Sequence, residues 1–104
     1  MEHSAAYQRI IRDIKNDDIR IQVTGYIKEI IDDQYFILDD KTGTLKVIIG
    51  KLDFVSKKND LVNVIGDLNI NMEGEKELEA DIIQDMNKLN FEYYHKLYQI
   101  KKEL

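Results

Sequence analysis

Apolar and polar residues alternate along most of the chain. Ile19, Ile21, Val23 and Ile27 are interleaved with Arg20, Gln22, Thr24, Tyr26 and Lys28, the two-residue period of a half-buried strand. Phe36 and Leu38 continue as a second inward face, and Leu45, Val47 and Ile49 as a third, across the charged turn Asp39–Thr44. After a connection over residues 50–60, Val62, Val64, Leu68 and Ile70 mark a fourth strand. Leu78, Ala80 and Ile82 mark a fifth, beyond a hairpin tip near Glu73-Gly74-Glu75. Gly25 and Gly66 fall on the apolar parity of the two longest strands, where a missing side chain suits a bend or a close backbone approach.

Both ends of the chain change period. Tyr7, Ile10, Ile11 and Ile14 follow Ser4, a candidate N-cap, at helical spacing, and predict a short helix in a lead-in over 1–16. "DMNKLNFEYYHKLYQIKKEL" predicts a second helix over 87–104 with Asn87 as its cap. Around that helix the apolar side chains cover roughly half the circumference, where a single buried stripe needs little more than ~100°. A wide helix lying on its own barrel and a helix with a second stripe for partner helices both fit; the second fits four aromatic residues on two turns better. The expected class is therefore mainly β: one domain over 1–104, with a five-stranded Greek-key barrel of the OB type over 19–84, a short N-terminal helix and a C-terminal assembly helix.

Composition narrows the chemistry. At 104 residues and 43% apolar content there is room for one domain with a real core. The chain has no cysteine, which excludes disulfides and thiolate metal sites and suits a reducing compartment. No apolar run is long enough for a bilayer and no signal-peptide h-region stands at the start, so a soluble, non-membrane protein is expected. The expected location is cytoplasmic, associated with the nucleoid in an archaeon or nuclear in a eukaryote. The net charge of −5 argues against gripping phosphate by bulk charge, but the charge is polarised. Residues 41–58 carry Lys41, Lys46, Lys51, Lys57 and Lys58 against Asp53 alone. Residues 60–85 carry Lys76 against Asp60, Asp67, Glu73, Glu75, Glu77, Glu79, Asp81 and Asp85.

Catalytic patterns are missing. His3 and His95 lie near opposite ends, the latter on the polar arc of the last helix, and neither has a second ligand at metal spacing. Ser4 and Ser56 lack a nucleophile-elbow glycine pattern. Asp32-Asp33 and Asp39-Asp40 read as solvated turn formers, and "DDKTG" lacks the layout of a phosphate loop. A non-enzymatic protein without metal or cofactor is expected.

"IRIQVTGYIKEI", "YFILDDKTGTLKVII" and "KKNDLVNVIGDL" resemble the OB-folds of single-stranded DNA-binding proteins of the replication protein A group, and the lead-in "IRDI" is similar to archaeal members. "DMNKLNFEYYHKL" resembles the junction in the middle subunit of that group, where the last strand runs into an assembly helix. The likeness covers about residues 8–104, and telomere-capping subunits share the architecture. It implies a single strand held on the face of strands two and three, and a three-helix bundle with other subunits. Middle subunits carry a winged-helix domain after that helix; a chain stopping at Leu104 is expected to be an assembly core or a small-subunit type.

The family's stacking aromatics align with Ile49 or Gly50 and with Asn71 or Met72, so none is aromatic here. Since a stacked base is worth ~1–3 kcal/mol, weak binding is expected from the isolated chain. Outward parity nominates replacements: Tyr26 and Tyr35 to stack bases, Ile48 beside them, and Arg20, Lys28, Lys46 and Lys51 to neutralise phosphates. The acidic hairpin Glu73–Glu79 should border that groove and repel a phosphate backbone. Phe91, Tyr94, Leu97, Tyr98 and Lys101 are the expected subunit interface. The expected partners are single-stranded DNA, bound weakly, and other OB-fold subunits or further copies of this chain. A role in DNA replication or repair follows; the alternatives are a capping-type assembly module without nucleic-acid contact and an RNA-binding OB domain, since stacking does not discriminate sugars.

Overall fold

The computed structural model describes residues 6–50 and 52–104. Five strands close into a barrel: β2 (Arg20–Ile31), β3 (Tyr35–Asp39), β4 (Thr44–Ile48), β5 (Leu61–Ile70) and β6 (Lys76–Asp85), preceded by a two-residue strand β1 (Tyr7–Gln8) and followed by helix α1 (Phe91–Glu103). The order around the barrel is β2-β3-β4-β6-β5, and β5 returns to β2. The parallel pair β4–β6, with Lys46 opposite Glu77 and Ile48 opposite Glu79, completes the circuit; all other barrel pairs are antiparallel. This is the OB topology expected from the pattern.

Closure depends on β2 serving two neighbours. Its first half pairs with β5 from Arg20 to Tyr26, and its second half with β3 from Tyr26 to Ile31. Gly25 sits where the partners change, and a Cβ there would stand 2.9 Å from the Asp39 carbonyl oxygen. Gly66 marks the bulge between β5 and β6; a Cβ there would stand 2.0 Å from the Glu79 carbonyl oxygen. Both inward glycines thus permit the backbone approach that their parity suggested.

Most of the expected inward residues form the core, but Ile19 before β2, Ile70 at the end of β5 and Ile82 beside the β5–β6 bulge are exposed. Ile21, Val23, Ile27, Phe36, Leu38, Val47, Val62, Val64 and Leu78 are fully buried, with Leu45 and Ile49 nearly so. Each such side chain contributes about 1.5–3 kcal/mol on leaving water. The connection after β4 also caps the core: Phe54 stacks on Phe36 with ring centroids 5.3 Å apart, and Leu52 packs beside it.

The N-terminal helix expected over 7–14 is replaced by β1 and one 3₁₀ turn, Ile11–Asp13; Ser4 lies outside the described residues. The backbone donors go to the barrel instead of up a helix. Arg9 N–H donates to the Gln22 carbonyl at 3.0 Å, Ile11 N–H to the Asp40 carboxylate at 2.7 Å, and Arg12 N–H to Thr42 Oγ1 at 3.1 Å. Asp40, which is fully buried, also accepts from the N–H and hydroxyl of Thr42. The isoleucine spacing therefore serves burial of Ile10 and Ile14 in a strap, not a helix face.

At the other end, Asn90 rather than Asn87 caps α1, accepting from Tyr93 N–H at 3.1 Å. Asn87 instead ties the end of β6 to the start of β5: its Oδ1 accepts from Leu61 N–H at 2.7 Å and its amide donates to Asp60 at 3.3 Å.

Candidate nucleic-acid and subunit interfaces

The outward side of β3 and β4 floors a cleft of about 580 Å³, walled by Ile11 and Ile14 of the strap and by the β5–β6 hairpin. Tyr35, Ile37, Thr44 and Lys46 form the floor, and Gly74 to Glu77 the acidic wall. The hairpin is held by Asn71, whose side-chain oxygen accepts from the N–H groups of Glu73 and Glu75, each at 2.9 Å, while Gly74 supplies the left-handed turn residue at φ 83°.

Inside the cleft Lys46 is already paired. Lys46 Nζ lies 4.2 Å from the centroid of the Tyr35 ring and 3.5 Å from a Glu77 carboxylate oxygen. The other Asn71 group, its amide, donates to Glu77 at 3.1 Å and fixes that carboxylate. The same side chains that could stack a base and meet a phosphate thus meet each other.

The other nominated contacts are scattered. Arg20 lies apart from the cleft, in a depression lined also by Tyr7, Arg9 and Ile19, and its guanidinium pairs with Asp81 and Asp67, which raise its pKa. Tyr26 meets Phe91 of α1 edge-to-face at 5.1 Å, and Lys41 lies 5.5 Å from its ring centroid, so its ring is engaged within the chain. Lys28 is exposed at a bulge in β2. Ile48 is half-buried opposite Tyr35 and borders a neighbouring depression with Leu52 and Ala80. Lys51 falls outside the described residues. The cleft therefore unites Tyr35 and Lys46, and excludes Arg20 and Tyr26. Glu77, Asn71, Ile11 and Ile14 were not among the nominated site residues. The acid-rich hairpin and the alignment of Asn71 or Met72 with a family stacking position gave the only signals, because the parallel register that sets Glu77 against Lys46 arises on barrel closure.

Helix α1 has two apolar faces, as its wide arc allowed, but their membership differs from expectation. Phe91 and Tyr98 are buried against the barrel and strap, while Tyr94 is half-buried beside Phe91. Tyr98 donates its hydroxyl to Asp13 at 3.1 Å, and Lys102 pairs with the same carboxylate at 2.7 Å. Lys102 holds the Asp13 carboxyl below its ordinary range, and burial pushes the Tyr98 phenol up. His95, expected on the polar arc, lies 4.4 Å from the Phe91 ring centroid with its Nε2 buried and without a hydrogen-bond partner among the described residues. Tyr93, Leu97, Ile100 and Leu104 lie on the solvent side, with Tyr93 59% and Ile100 57% exposed. Their alternating spacing of four and three residues is that of a helix-packing seam, with Lys96 and Lys101 flanking it.

No family model matches the chain, and no curated protein does. Solved structures do. The telomere capping protein Ten1 from Saccharomyces pombe superposes with a TM-score of 0.77 at 14% identity, covering 96% of this chain and 100% of that one. A chain of the S. pombe Stn1–Ten1 complex gives a TM-score of 0.77 at 14% identity over 98% of this chain and 96% of that one. A chain of a replication protein A heterotrimer bound to single-stranded DNA gives 0.56 at 13% identity, over 76% and 66%. These likenesses establish that the chain has the OB fold of subunits found in such complexes.

Proposed function

We propose that this chain is an OB-fold subunit of a single-stranded DNA-binding complex of the replication protein A or telomere-capping kind, acting first through assembly. The observation that carries this reading is the second apolar face of α1, Tyr93, Leu97, Ile100 and Leu104, left in solvent after Phe91 and Tyr98 have docked on the barrel. An uncovered seam of that spacing suits another helix. The end-to-end likeness to Ten1, and the Stn1–Ten1 complex, support a small subunit that works with a partner. The likeness to a replication protein A chain is shorter and supports the same architecture, with a replication or repair role as the alternative setting.

Contact with the strand is the second part of the reading. Tyr35 and Lys46 on the β3–β4 face supply one stacking ring and one cation, too little for tight binding alone. Linked subunits would add their sites and raise the effective concentration of the strand at this one. A reading without nucleic-acid contact, as an assembly module only, is favoured by the engagement of Lys46, Arg20 and Tyr26 within the chain.

Two assays separate these readings. Labelled oligo-dT is titrated against the isolated chain at low and moderate salt; weak, salt-sensitive binding supports strand contact, and none near micromolar concentration at low salt removes strand contact by the isolated chain. The native complex is isolated through a tag on this chain, wild type and Leu97→Glu/Ile100→Glu. Loss of a stoichiometric OB-fold partner from the double variant supports assembly through α1, and retention refutes it.

A further inference from the structure

The Lys46 cation of the cleft is engaged within the chain, and one residue engages it. Glu77 stands opposite Lys46 in the parallel β4–β6 register, with its carboxylate 3.5 Å from Nζ. Its side chain is mostly buried, and the Asn71 amide holds it at 3.1 Å. Lys46 in turn lies over the ring of Tyr35, 4.2 Å from the centroid. The three groups form a stack in which an anion holds a cation and the cation covers an aromatic face. A nucleotide offers the same two functions, a phosphate for the lysine and a base for the ring.

We infer that Glu77 is an intramolecular phosphate mimic that occupies the strand-binding cleft of the isolated chain and makes it discriminate against polyanions at low concentration. The inference rests on the strand-contact reading given above and names the regulation of that site. A phosphate reaching Lys46 must displace a carboxylate that is tethered and hydrogen-bonded, so the net gain from that contact is small. A base reaching Tyr35 must move Lys46, which Glu77 helps to hold. Opening is therefore favoured only where the strand is already concentrated at the cleft by linked subunits.

The hairpin as a whole is acidic, and a diffuse field would also weaken binding. Glu75 allows the two effects to be told apart. It lies on the same hairpin, lines the same cleft and bonds to Asn71, but no lysine pair with it occurs among the described residues. Replacing either acid by glutamine changes net charge equally, and glutamine keeps the size and accepting oxygen that Asn71 uses.

The experiment is a titration of fluorescein-labelled oligo-dT against wild type, Glu77→Gln, Glu75→Gln and Lys46→Ala/Glu77→Gln at several salt concentrations, with thermal midpoints measured alongside. Removing this partly exposed ion pair should tighten Glu77→Gln roughly fivefold. The additional phosphate contact should steepen its log–log salt slope by about 0.7. Glu75→Gln should stay within about twofold, and the Lys46 double variant should lose the gain. If wild type binds and Glu77→Gln does not bind more tightly, or if Glu75→Gln gains as much, the mimic is refuted while strand contact stands. A gain that survives loss of Lys46 refutes it equally. If neither wild type nor Glu77→Gln binds at the lowest salt, strand contact fails and the mimic with it, while assembly through α1 is untouched.

Discussion

The β3–β4 cleft and the outer face of α1 differ in what the chain leaves unsatisfied. In the cleft, Lys46 meets both Glu77 and Tyr35, and the hairpin that brings Glu77 is fixed by Asn71. On α1, Tyr93, Leu97, Ile100 and Leu104 meet solvent. Charges that find opposite charges at the surface gain little from a new ligand, since exposed ion pairs are worth ~0–1 kcal/mol and a partner only exchanges one for another. Apolar side chains left in water still gain about 25 cal/mol per Å² when covered. The difference teaches that assembly, more than strand capture, is where this chain has free energy left to release.

The largest expected effect breaks the helix side of that contrast. Leu97→Glu/Ile100→Glu should abolish assembly by more than ~100-fold, as charges replace apolar side chains in a desolvated seam. Circular dichroism and the thermal midpoint of the isolated chain should stay unchanged. Next, Phe91→Ala on the inner face should cost about 3 kcal/mol in denaturant melts, because it removes a buried ring and its edge contact with Tyr26. A smaller effect comes from Asp13→Asn, which loses the Lys102 pair and weakens the Tyr98 bond that dock the helix end on the strap. It should cost about 1 kcal/mol near neutral pH.

That variant also carries a pH signature. The Asp13 carboxyl has a lowered pKa in the folded chain, from Lys102 first and the Tyr98 bond after it. Its stabilisation is therefore fully present above the unfolded aspartate value of ~3.9 and is lost as the pH falls through the lower folded value. Acid melts should show a flatter acid limb in Asp13→Asn than in the wild type. The smallest effect sharpens the cleft side: Lys28→Ala, at an exposed bulge outside the cleft lining, should change oligo-dT affinity by less than about twofold.

How much of this was legible in the sequence depends on the range of the interaction. The period of two in β2 to β6 is local, and it placed Phe36, Leu38, Leu45, Val47 and Ile49 inside correctly. Gly25 and Gly66 were legible for the same reason. The strap was not, because its donors are captured by Asp40 and Thr42, about 30 residues away, so isoleucines at helical spacing form no helix. The width of the apolar arc on α1 was legible, but its division was not. Which half docks is decided by where Tyr26 and Asp13 stand on the folded barrel and strap. Asn87 is the expected cap, but its side-chain oxygen accepts from Leu61 N–H, and Asn90 caps the helix instead. In the cleft, the outward Tyr35 and Lys46 were read from parity, whereas their pairing with Glu77 needed the closing register.

Hydrogen exchange on the native complex, compared with the isolated chain, tests the contrast most directly. Assembly through the outer face of α1 predicts that protection on complex formation rises most over residues 93–104, by at least tenfold in exchange rate, with little change over 44–48 and 71–77 in the absence of a strand. Protection that rises in the cleft segments and leaves 93–104 at its isolated rate would contradict the account.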